Sequence, residues 1–182
     1  MAQLRLVTSR NPGLSSLDMA MMERAIELAR QAASVGEVPV GAVVYRGNEV
    51  IAEAANTREL DRDPCGHAEF LAIRAAAKKL NDWRLTDCSL AVTLEPCPMC
   101  AGAIVNARVG RVLYGALDAK AGACESLYRI TSDERLNHRP EMFAGIMAER
   151  CAGLLKDFFK RLREDRKAAK RQSAGASAES AA

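Results

Sequence analysis

Four residues of this 182-residue chain combine type and spacing in a way that could carry chemistry: His67, Glu69, Cys97 and Cys100. Cys97-Pro98-Met99-Cys100 is a Cys-x2-Cys pair. At the opening of a helix it puts two sulfurs on one turn, aimed at a single ion. The free N–H groups and the positive end of that helix favour thiolates. Pro98 suits a first turn, where its missing N–H is not needed. Taken alone, the pair also fits half of a structural zinc knuckle or a redox dithiol. A structural zinc site needs four protein ligands, and the next cysteine, Cys124, has no Cys or His partner at ligand spacing. His67 and His138 are the two histidines, so a three-His centre is excluded. His67 instead completes a three-ligand set with one open position, the arrangement of a catalytic metal.

Glu69 stands two positions beyond His67. On a helix that is about 200° around the axis, so the two side chains do not chelate one ion through one face. In a first turn, Glu69 still reaches a water held in the open position. Two thiolates offset the charge of a zinc ion, which lowers the pKa of its water while a neighbouring carboxylate collects and redelivers the proton. Such a centre suits addition to an electron-poor carbon followed by loss of an amine.

These residues need a frame. Apolar residues recur at helical spacing from about Asp18 to Ala33, and Pro39 ends any helix before it. Val40 to Tyr45 and Val50 to Ala55 read as two strands joined by the tight turn Gly47-Asn48, and Thr57 to Gly66 as a polar loop. The pattern then predicts a helix over His67 to Leu80, a buried strand over Leu90 to Leu94, a helix over Cys97 to Ala107 and a strand over Arg111 to Tyr114. A Gly- and Ala-rich loop follows to Cys124, and residues around Glu141 to Ile146 suggest a further strand. A last helix is expected from about Met147 to Lys170, with Leu154, Leu155, Phe158, Phe159 and Leu162 on its apolar side. A hairpin followed by alternating helices and strands implies an α/β fold of three α/β/α layers, with a mixed central sheet of about five strands. Residues 17–170 are expected to form one domain, with disordered segments at 1–16 and 171–182.

Composition narrows the function classes. Aromatics are 4%, too few for a platform that stacks many bases. Six cysteines in a chain with this many core residues do not imply a disulfide scaffold. The first residues, MAQLRLVTSRNPG, lack the apolar run of a secretory signal; Arg5 and Arg10 only faintly suggest an organelle transit peptide. No apolar run approaches the ~20 residues of a membrane span, so a reducing, cytoplasmic location is expected.

His67-Ala68-Glu69 with Pro96-Cys97-Pro98-Met99-Cys100 resembles the His-x-Glu…Pro-Cys-x-x-Cys signature of zinc-dependent nucleobase deaminases. Val38-Pro39-Val40-Gly41-Ala42-Val43, Asp63-Pro64, Thr93-Leu94-Glu95, Gly115-Ala116, Asp118-Ala119-Lys120 and Asn137-His138-Arg139 narrow this to the bacterial tRNA-specific adenosine deaminases. The resemblance covers about Met19 to Lys167. It implies a cytidine-deaminase-like fold, one zinc per subunit and a homodimer whose tRNA site uses both subunits. The implied reaction converts the wobble adenosine of a tRNA anticodon to inosine. By matching position, His67, Cys97 and Cys100 would bind zinc and Glu69 would shuttle the proton. Asn56 would contact the flipped base, Asp118 and Lys120 would lie in a loop holding the anticodon backbone, and Phe158-Phe159 and the arginines beyond would lie along the RNA. Two departures stand out: Cys65-Gly66 beside the metal helix, where Cys65 is either an extra ligand or an ordinary loop thiol, and Cys124-Glu125, where Glu125 is expected to bring negative charge near the phosphate path.

Charge bears on the partner. The chain carries +3, yet Lys156 to Arg171 alone carries +5, which leaves a slightly acidic body. A basic helix on such a body suits counterion release from phosphates, although a charge run is often just a solvated face. The competing enzyme class is a zinc-dependent deaminase of free guanine or cytosine, or of a nucleoside, which needs no basic helix. A non-catalytic zinc-stabilised RNA-binding protein is the other alternative, and it requires a fourth protein ligand.

Overall fold

The computed structural model describes residues 13–179. The expected N-terminal extension as far as residue 12, and the last three residues of the expected tail, lie outside the described residues. Five strands form one sheet in the order β2-β1-β3-β4-β5. β1 (Gly41–Arg46) pairs antiparallel with β2 (Glu49–Ala55) and with β3 (Ser89–Leu94). β4 (Arg111–Ala116) and β5 (Glu141–Phe143) add parallel strands beyond β3. The β1–β2 hairpin closes through Gly47 at φ +53°, the left-handed backbone that a two-residue loop between twisted strands demands.

Both sheet faces are covered, and the central strands read accordingly as almost unbroken apolar runs. Ala42 and Val44, Leu90 and Val92, Val112 and Tyr114 point to one face. There they meet Ala68, Ala72, Ile73 and Ala76 of α2 (Ala68–Leu80) and Ile104 of α3 (Pro98–Asn106). The intervening Val43, Tyr45, Ala91 and Leu113 point to the other face, against Met22, Ala25 and Ile26 of α1 (Ser16–Ser34) and Cys151 of α4 (Ala148–Glu179). This period of two is the physical basis of the three-layer architecture.

The sequence reading differs from the structure mainly at ends. The helix α4 runs on to Glu179 rather than ending near Lys170; alanines at 168, 169, 174, 176 and 178 give that stretch strong helix propensity. A 3-10 turn at Ile130–Ser132 had no clear signature in the sequence.

A buried carboxylate ties the α1 face to the sheet. Asp18 forms a capping box with Ser15 and also accepts from the Tyr45 hydroxyl and the Arg111 guanidinium. Arg111 in turn lies over the Phe143 ring. Burial alone would raise the Asp18 pKa, but hydrogen bonds from Arg111, Tyr45 and Ser15 outweigh it and hold the carboxyl below its ordinary value. A depressed folded pKa gives stability that is present above the unfolded value and is lost as pH falls through the folded one. Asp18→Asn is therefore expected to cost about 2–3 kcal/mol at neutral pH, discounted from a fully buried pair because Arg111 is partly exposed. The penalty should shrink below about pH 4, and urea unfolding at a series of pH values measures it.

Candidate active site and metal centre

The strand ends dictate where the candidate residues meet. Register pairs Gly41 with Ala55 and Leu94 with Ala116, so Val40, Asn56, Glu95 and Leu117 emerge at the same end of the sheet. The helices α2 and α3 begin there, with His67 and Cys97 as their N-cap residues.

This settles the angular problem posed by His67 and Glu69. His67 is not on the helix: its backbone is extended, at φ −85° and ψ 139°, while Glu69 lies in the first turn. The two side chains therefore leave from different backbone conformations and converge on one site. The His67 side chain makes no capping bond to its helix, in contrast to Ser15, whereas Cys97 bonds Cys100 in the first turn of its own. The imidazole and the thiol face each other. The Cys97 Sγ lies 3.6 Å and the Cys100 Sγ 3.7 Å from His67 Nδ1, and all three ligand atoms fall within 4.8 Å of one another. Tetrahedral coordination, with Zn–S of about 2.3 Å and Zn–N of about 2.05 Å, places sulfur and nitrogen roughly 3.6 Å apart. The donor set and its spacing fit zinc. Cys65 lies outside the cluster; its N–H is bonded to the Asp63 carboxylate. Among the described residues the cluster has three members, as a site with an open position requires.

The two thiols share one charge, and Cys97 is the one favoured as thiolate. The Cys97 thiol is lowered to about 4, chiefly by its hydrogen bond with Cys100, against burial and with help from His67. The Cys100 thiol is pushed far up by the same bond and by burial. Glu69 is 4% exposed, and burial raises its carboxyl to about 7, where a group can both accept and donate a proton near neutrality.

A cleft of ≈ 200 Å³ opens onto the cluster, lined by His67, Glu69 and Cys97 together with Val38, Val40, Asn56, Arg58 and Asp118. A larger groove of ≈ 540 Å³ adjoins it, sharing Val38, Asn56 and Arg58 and walled by Phe159, Leu162, Arg163 and Arg166 of α4. Asn56 and Asp118 are thus brought to the cleft, whereas Lys120 is exposed and not part of its lining. The Asp118 Oδ1 accepts the N–H groups of Lys120 and Ala121, folding its own turn. Glu125 does not face the cleft: its carboxylate accepts the Tyr114 hydroxyl at 2.8 Å and borders a separate pocket beside Gly145 and Glu149. His138 bonds the Val109 carbonyl, away from the cluster.

The chain aligns with the MafB19-like deaminase family over residues 17–163. A tRNA-specific adenosine deaminase of Bacillus subtilis is 46% identical over 154 residues, which is 85% of this chain and 96% of that one. This chain belongs to the tRNA-specific adenosine deaminase family. Its relative from Haemophilus influenzae is 44% identical over 84% of this chain and 89% of the other. A solved tRNA:A34 deaminase, from a study of A-to-I editing at the wobble position, superposes on this deaminase with a TM-score of 0.72 at 42% identity, covering 75% of this chain and 99% of that one. Those likenesses accord with the three-layer fold read from the strand pattern.

Two acidic residues of this deaminase were given no role from the sequence: Glu37, and Glu95, which stood only within a family-like stretch. Glu95 is 1% exposed and sits between the end of β3 and the candidate ligand Cys97. Its carboxylate accepts the N–H groups of Asp118, Cys124, Glu125 and Ser126 and the Ser126 hydroxyl. Burial would raise its pKa, but these five bonds hold it below the usual range. One side chain therefore grips the whole loop that carries Asp118. The only available signal was an acid set between an apolar strand and Pro96. Gly122 packs against that grip, since a Cβ there would lie 2.6 Å from the Asp118 carbonyl and collide with the Glu95 carboxylate. Gly122→Ala is expected to displace the loop and lower kcat/KM on RNA by about 10- to 100-fold, the order seen for small misplacements in a site. Metal content should stay unchanged, so metal analysis beside kinetics separates the two effects.

Proposed function

We propose that this deaminase hydrolytically converts the wobble adenosine of a tRNA anticodon to inosine, using zinc held by His67, Cys97 and Cys100. The observation that carries this is the three-ligand cluster with the buried Glu69 at the floor of an open cleft. Bound there, zinc supplies a Lewis acid that lowers the pKa of water toward neutrality. Asn56 orients the extruded base against the cleft wall. Glu69 takes the proton released from water as the C6–O bond forms and delivers it to N1; it then takes the proton of the new C6 hydroxyl and passes it to the amine as the C6–N6 bond breaks and ammonia leaves. Asp118 and Lys120 hold the loop along the anticodon backbone.

The wall supplied by α4 favours RNA over a free base. Arg58, Arg163 and Arg166 line the groove that opens into the cleft, and positive charge along such a path suits phosphates. Leu60, Leu117, Leu127 and Tyr128, on the two loops beside the cleft, are each more than half exposed, a surface suited to cover by a second copy in a homodimer. Among the described residues no helix is long and apolar enough to cross a membrane, and a tRNA substrate fits a cytoplasmic setting. The test is incubation with an anticodon stem-loop and, separately, with guanine and cytosine. Inosine in the stem-loop supports the proposal; turnover of a free base with an untouched stem-loop refutes it in favour of a nucleobase deaminase.

A further inference from the structure

Glu95 lines the cleft and bonds the loop that carries Asp118, whereas Glu37 stands behind the cleft and reaches a side chain that lines it. Glu37 is 1% exposed, in the turn between α1 and β1. Among the described residues it forms no ion pair with Lys or Arg. A buried carboxylate without a cation is costly to keep. Its Oε2 accepts from Asn56 Nδ2 at 2.8 Å and its Oε1 accepts the Leu60 N–H at 2.6 Å.

An amide can in principle present either end to a cleft. Here, turning the Asn56 amide over would set its Oδ1 against the Glu37 carboxylate, two acceptors with no proton between them. One orientation is therefore enforced, with Nδ2 committed to Glu37 and with Oδ1 and the second Nδ2 proton left for the cleft. We infer that Glu37 is a positioning residue: it fixes the amide of Asn56, and with it the order of donor and acceptor that Asn56 offers a nucleobase. This inference rests on the reading of Asn56 as the base contact.

Glu37→Gln is the informative variant. Its Oε1 can still accept the Leu60 N–H, but its NH2 then faces Asn56 and favours the reversed amide. A double-mutant cycle with Asn56→Ala, measured as inosine formation in the stem-loop, separates positioning from loop support. Glu37→Gln should lower kcat/KM by about tenfold or more with Asn56 present, and by less than about twofold in the Asn56→Ala background. Equal costs in the two backgrounds, or an Asn56→Ala variant as active as wild type, would overturn the inference. In the unmutated protein, one Asn56 Nδ2 proton should be protected from solvent exchange by NMR, and its absence overturns the inference without any variant. If the wild type leaves the stem-loop untouched but turns over guanine or cytosine, the RNA reading fails on its own. The same cycle on that base then decides the role of Glu37.

Discussion

Glu69→Gln is expected to lower kcat on the stem-loop by about 10²- to 10⁴-fold while leaving metal content intact, because the amide cannot ferry a proton. The same substitution should stabilise the metal-free protein. Burial raises Glu69 from an ordinary carboxyl value to about 7, so between those values the folded state binds more protons than the unfolded one. Stability therefore falls as pH rises through that window and stays low above it. A shift of this size corresponds to roughly 3 kcal/mol. Glutamine carries no charge to desolvate, and the decline should vanish. Urea titration of the metal-free variant at pH 5 and pH 8 measures this. Activity and stability moving in opposite directions is the signature of a carboxylate kept for chemistry; a variant that loses activity, metal and stability together would assign Glu69 to the metal shell instead.

Cys100→Ser should have the larger effect on turnover. Removing one of three ligands deprives the cluster of half its thiolate charge and leaves two donors where the site needs three. Metal content is expected to fall well below one per subunit, and activity by at least about 10⁴-fold, since uncoordinated water near neutrality is a far weaker nucleophile. Cys65→Ser, outside the cluster, should retain both metal and activity. A chelator should lower the Tm of wild type and leave that of Cys100→Ser unchanged, because a ligand that binds only the folded state stabilises in proportion to its occupancy. Full metal loading in Cys100→Ser would show that the ligand set is wrong.

How much of this was legible beforehand depended on the range of each interaction. The layers, the hairpin and the five strands follow from local periodicity, because burial on two faces leaves runs such as Leu90-Ala91-Val92. The candidate ligand residues were visible as short spacings. The geometry linking His67 to Glu69 was not, since it depends on His67 falling just outside its helix, a boundary of one residue. The buried roles of Glu37 and Glu95 were invisible for a different reason. Their partners lie 19 to 31 residues away, and nothing in the local pattern says that an acid will be buried by distant amides. The Tyr114 hydroxyl that Glu125 accepts was likewise not announced by the local pattern.

His67 and Cys97, the N-caps of α2 and α3, both belong to the candidate metal cluster. At α1 the Asp18 N–H is satisfied by the side chain of Ser15, a residue of the same segment; at α2 and α3 the N-cap side chains lie 3.6 Å apart and face a shared cluster. Two stretches of chain, 30 residues apart, thus meet at one centre through the residues that start their helices. Zinc bound there would couple its own binding to the stability of both helix starts. Amide exchange in the first turns of both helices should then slow together on metal binding, while that of α1 stays as it was.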